Sequence, residues 1–81
     1  MARAAQHDAL ASFGKLVAAR RRQRGLDITA LAPSVDMFVE DLKRLEAGLL
    51  RANKIKLMSF LLLANALDIP ASDLLDELLN N

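Results

Sequence analysis

Apolar positions recur along this 81-residue chain at helical spacing, not at the alternating spacing of strands. Leu10, Phe13, Leu16 and Val17 predict a first helix from about Asp8 to Arg24, with residues 1–7 expected to fray. Gly25 is a natural stop for it. Gly14 lies inside this helix, where glycine costs about 1 kcal/mol against alanine. Asp27 is a good N-cap for a short second helix. Pro33 follows early, so that helix is expected to end near Ala32 or to kink. Ser34 or Asp36 then caps a third helix whose apolar face is Val35, Phe38, Leu42, Leu45 and Leu49, closed by Gly48.

Residues 49–53 read as a linker, with Asn53 as the next N-cap. The fourth helix, from Lys54 to about Leu67, is apolar nearly all round. A helix of that kind in so small a chain is either central or partly covered by another molecule. A fifth helix follows Pro70 with Leu74, Leu75, Leu78 and Leu79 on its apolar face. The chain is thus expected to form one domain, 1–81, with a helix-turn-helix segment over 27–48 and C-terminal helices over 54–79.

Composition sharpens this reading. Hydrophobic residues make up 53% of the chain, with three Phe and no Trp or Tyr, so Leu and Ala must do the packing. Few β-branched residues and glycines favour an all-α fold. There is no cysteine, which excludes disulfides and thiolate metal sites. The longest apolar stretch, Phe60–Ala64, is far too short to span a membrane. Arg3 and the neighbouring alanines have a transit-peptide flavour, but they lead smoothly into the first helix, which is the preferred reading.

The net charge is only +1, yet it is unevenly spread. Arg3, Lys15, Arg20, Arg21, Arg22 and Arg24 stand against Asp8 alone. The middle is acidic, Arg51, Lys54 and Lys56 follow it, and the tail from Asp68 is acidic again. The single histidine, His7, has no Ser–His–Asp set, metal cluster or phosphate-cradling loop around it, so an enzyme is not expected.

From Arg21 to Gly48 the chain resembles the Cro/CI (XRE-type) helix-turn-helix family without gaps. Arg21 stands four residues before Gly25-Leu26. Leu31-Ala32 matches the second helix, Leu42 the inside of the recognition helix, and Leu45-Glu46-Ala47-Gly48 its end. Ala64 and Leu67 match the end of a downstream apolar helix, and residues 69–75 the short helix after it. A linker longer than usual is needed after Gly48. The resemblance implies an all-α, compact five-helix bundle of lambda-repressor-like type. It also implies an ion pair between Arg21 and Glu46 that ties the first helix to the recognition helix.

The same resemblance implies a cytoplasmic regulator of prokaryotic type, without cofactor, that binds double-stranded DNA as a homodimer through its last two helices. The residues it places toward DNA are Val39, Glu40, Lys43 and Arg44, followed by Arg51, Lys54 and Lys56. Arg44 suits guanine, Lys43 guanine or phosphate, and Val39 a thymine methyl. The chain departs from the family pattern at Ile28, where glutamine is usual, at Asp36, where the turn carries glycine, and at Pro33. Its recognition helix opens on Phe38, Val39, Glu40 and Asp41 instead of polar residues. Acids there suit the helix dipole but repel phosphate. A second expectation therefore stands beside the repressor or antitoxin: a protein-binding module, such as an antiactivator or antitoxin subunit, that has lost DNA reading. Its candidate interface is Met37, Val39, Leu49, Leu50, Leu62, Leu74 and Leu78.

Overall fold

The computed structural model describes the backbone of residues 2–79 and the side chains of residues 11–79. Five α-helices run in order: α1 (Ala2–Gln23), α2 (Ile28–Ser34), α3 (Val39–Glu46), α4 (Leu57–Ala66) and α5 (Ala71–Leu79). A single 3-10 turn, Ala52–Lys54, precedes α4, and no strand occurs among the described residues. α1 is the spine, packing on both α3 and α5, while α2 packs on α3 and α4 on α5. The side chains of His7, Asp8 and Leu10 lie outside the described residues, and the α1 backbone starts earlier than the Asp8 start that apolar spacing indicates.

Four helices stop in the same way. After α1, α2, α3 and α4 one residue turns left-handed, with φ of 66° at Gly25, 58° at Asp36, 75° at Gly48 and 55° at Asp68. The next amide then reaches back to the helix: Leu26 to Arg21, Met37 to Ala32, Leu49 to Arg44 and Ile69 to Ala64. This is the Schellman closure, which satisfies carbonyls that the helix end would otherwise leave unpaired. Glycine adopts it freely, and aspartate adopts it at some cost. Asp36 thus takes the turn position usually given to glycine.

The helix starts are less uniform. Asp27 caps α2 by accepting from the Thr29 amide at 3.2 Å and from the Thr29 hydroxyl. Those bonds, with the Thr29 side chain first, hold the Asp27 carboxyl below its ordinary value. By contrast the N-cap residues of α3 and α4 are Phe38 and Lys56, and neither makes a side-chain cap bond. Ser34, Asp36 and Asn53 therefore do not cap these helices. Ser34 ends α2 instead, its hydroxyl donating to the Leu31 carbonyl at 2.6 Å. Pro33 lies within α2, one residue before the end, where its missing amide removes at most one intrahelical bond.

The core gathers Phe13 and Val17 from α1, Leu31 and Ala32 from α2, Leu42 and Leu45 from α3, Phe60 and Leu63 from α4, and Leu74 from α5. Phe13 and Phe60 stack with ring centroids 6.1 Å apart. At Gly14 the helices come closest, because a Cβ built there would stand 1.9 Å from the Leu45 carbonyl oxygen. Gly48 sits almost as tightly, with Ala11 Cβ 3.2 Å from where its own Cβ would be. Small side chains on α1 let the end of α3 cross at backbone distance.

Candidate nucleic-acid interface

α2, the turn at Val35–Asp36 and α3 form a compact unit whose inner faces are apolar. Leu31 and Ala32 of α2 meet Leu42 and Leu45 of α3, with Val35 buried between them. That leaves one side of α3 in solvent. At roughly 100° per residue, Glu40, Lys43, Arg44 and Ala47 share that side, and all four are exposed. Val39 is half-buried against the core, so it does not belong to the exposed face.

Three ion pairs set the local electrostatics. Arg21 grips Glu46 with both nitrogens of one guanidinium edge: Nε donates to Oε2 at 2.6 Å and Nη2 to Oε1 at 2.9 Å. Its remaining nitrogen, Nη1, donates to the Leu26 carbonyl at 3.0 Å. The side chains are only 14% and 9% exposed. The hydrogen bond to Glu46, opposed by burial and reinforced by the charges of Glu46 and Asp27, raises the Arg21 guanidinium above its ordinary value. This pair locks the end of α3 to α1 and to the Schellman loop after it.

The other two pairs lie in solvent. Asp41 accepts from Arg44 Nη1 at 3.0 Å, one turn along α3. Lys56 donates to Asp36 at 2.8 Å, and Ser59 of α4, itself buried, donates its hydroxyl to the Asp36 carbonyl at 3.1 Å. The start of α4 is thereby stapled to the turn between α2 and α3. Exposed ion pairs of this kind contribute about 0–1 kcal/mol, so they do not prevent Arg44 or Lys56 from meeting another charge. Arg51 and Lys54 are exposed in the segment between α3 and α4.

The apolar candidates divide. Leu50 and Leu74 are buried in the core, which corrects the expectation that they face a partner. Leu50 turns inward from the loop after α3, and Leu74 faces α5's neighbours. Met37, Leu62 and Leu78 are half-buried against the core. Leu49 is 73% exposed, although helical spacing put it on the inner face of α3; the left-handed turn at Gly48 ends that periodicity. Phe38 is also outside, 80% exposed, because it precedes α3 as its N-cap and is not part of its inner face.

An apolar groove of about 380 Å³ opens between α4 and α5. Ile55, Leu57, Phe60 and Leu61 line one wall and Leu75 and Leu78 the other. Leu57, Leu61 and Leu75 are exposed there, so the nearly all-apolar α4 is only partly covered by its own chain. Among the described residues no group of three metal-ligating side chains comes together. No helix of the described residues is long and apolar enough to cross a membrane.

An all-α bundle with two short helices pinned across a left-handed turn is the helix-turn-helix architecture. Among solved structures the chain is similar to the high-resolution crystal structure of the restriction-modification controller protein C.AhdI from Aeromonas hydrophila. The two are 29% identical in sequence, with a TM-score of 0.68 over 80% of this chain and 94% of that chain. No protein-family model matches the sequence, and no curated protein does.

Proposed function

We propose that this chain is a small DNA-binding transcriptional regulator that grips a palindromic operator as a homodimer. The observation that carries this reading is the exposed face of α3, with Lys43 and Arg44 held outward by a helix whose end is clamped by Arg21 and Glu46. In a helix-turn-helix the second helix enters the major groove and its first turns meet base edges. In this reading Arg44 binds guanine in two-pronged fashion, with Lys43 beside it. Arg51, Lys54 and Lys56 supply phosphate contacts after α3. Similarity to a restriction-modification controller protein supports a regulator in particular.

Titration of labelled duplex DNA at several salt concentrations tests this. Affinity should fall steeply and linearly with salt on logarithmic axes, as counterions are released. Arg44→Ala should lose about 2 kcal/mol of preference for a selected duplex over a random one. Absence of any binding to its own upstream region at low salt would remove the DNA reading. The exposed Leu49 and Met58 would then favour the second reading, a protein-binding regulatory module such as an antitoxin subunit.

The homodimer reading rests on the groove between α4 and α5, which is apolar and open, with Leu57, Leu61 and Leu75 exposed along it. Leu61→Glu places a charge in it while sparing the core, since Leu61 is 44% exposed. Sedimentation should show a dimer for the parent chain and a folded monomer for the variant. A parent chain that stays monomeric at micromolar concentration would defeat this part of the proposal.

A further inference from the structure

We propose that Phe38 is a base-reading residue that takes the C5 methyl group of a thymine in the major groove, an inference that rests on the DNA reading above. Phe38 breaks two local rules at one position. It occupies an N-cap, where Ser, Thr, Asp or Asn would bond a free amide, and it makes no such bond. It also leaves a phenyl ring 80% exposed to water. The missing cap lowers stability and the exposed ring contributes none, and neighbouring residues show that the fold does not demand them: Met37 and Val39 pack against the core on either side. Rule-breaking of this kind concentrates at functional positions.

The surroundings select the ligand chemistry. Phe38 stands at the end of α3 that enters the groove first. Glu40 and Asp41 follow it, and α3 itself carries no cationic donor until Lys43; the nearest cation from another element, Lys56, is paired with Asp36. The thymine methyl is the one apolar group on the major-groove edges, and an apolar side chain suits it. Val39, the residue that sequence alone assigns to that methyl, is half-buried; the structure transfers the role to Phe38.

The test uses duplexes enriched by the protein from a randomised pool. Each thymine is then replaced in turn by uracil, which deletes only the methyl group. At one or more thymines the parent chain should bind the uracil duplex about fourfold more weakly, the equivalent of one buried methyl. Phe38→Ser should erase that difference while raising the melting temperature, because it adds a cap. A purely structural Phe38 would not couple the two readouts. Tight, salt-dependent binding with no uracil-sensitive thymine, or uracil sensitivity that persists in Phe38→Ser, overturns the assignment and leaves DNA reading intact. Failure to enrich any duplex overturns both.

Discussion

Gly14→Ala is expected to destabilise the fold by about 2–3 kcal/mol, although helix propensity alone would make it stabilising by about 1 kcal/mol. The added Cβ would sit 1.9 Å from the Leu45 carbonyl oxygen and 3.0 Å from its carbonyl carbon. Both are backbone atoms, so no flexible side chain can swing aside. α1 and α3 must move apart by more than an ångström, which opens the contacts of Val17, Leu42 and Leu45, all fully buried. For a domain of this size a loss of that magnitude lowers the melting temperature by about 10–20 °C. Calorimetry of the two chains decides the matter, and an alanine variant that melts at or above the parent would show the contact to be looser than described. DNA affinity should fall as well, because the displaced element is the one that carries Lys43 and Arg44.

Breaking the Arg21–Glu46 clamp should have an effect at least as large. Glu46→Ala leaves a guanidinium that is 14% exposed without its two charged acceptors. Removing one partner of such a pair costs about 3 kcal/mol, since the survivor is desolvated and unpaired. Arg21→Ala should cost a similar amount, and it also strands the Leu26 carbonyl. Replacing both by apolar residues of similar length, Arg21→Met with Glu46→Leu, should recover most of the loss. Urea unfolding of the parent, the two alanine variants and the combined Arg21→Ala, Glu46→Ala variant forms a double-mutant cycle. A coupling below about 0.5 kcal/mol would mean the pair behaves as an exposed one. Raising pH does not weaken the clamp through Arg21. Its folded value lies above the unfolded one, so its contribution is complete below the unfolded value and is lost only at extreme alkalinity.

Much of the fold is legible in the sequence because its packing positions follow helical spacing. Phe13, Val17, Leu42 and Leu45 are buried where periodicity puts them. Leu31 and Ala32 likewise turn inward from a short helix capped by Asp27. Local periodicity fails where a helix ends in a left-handed residue, since the chain direction then changes. Leu49 and Leu50 follow such a residue: Leu49 is exposed where helical spacing puts it inward, and Leu50 is buried where the candidate interface has it facing a partner. The signal was present in part: an aspartate or glycine followed by an apolar residue marks all four helix ends, at Gly25-Leu26, Asp36-Met37, Gly48-Leu49 and Asp68-Ile69.

Side-chain chemistry at the site was harder to read. The close approach at Gly14 depends on the crossing of two helices distant in sequence, which no local pattern encodes. The tie from Lys56 and Ser59 to Asp36 joins segments equally far apart. Phe38 fits an inner face when α3 is assumed to begin at Asp36, and leaves it once the helix begins at Val39. A shift of helix start by a few residues thus decides whether that ring is core or surface.

The staple between α4 and the α2–α3 turn has a geometric consequence. α4 is a single helix about 15 Å long whose first turn holds the turn before α3 and whose other face lines the apolar groove. If two copies meet at that groove, α4 acts as a rigid strut between the joint and each reading head. The separation of the two heads then becomes a fixed length, like the gap of a caliper. Inserting even one base pair between operator half-sites would turn the second half-site about the duplex axis, beyond the reach of a device with no slack. Such a regulator would measure spacing as strictly as it reads sequence.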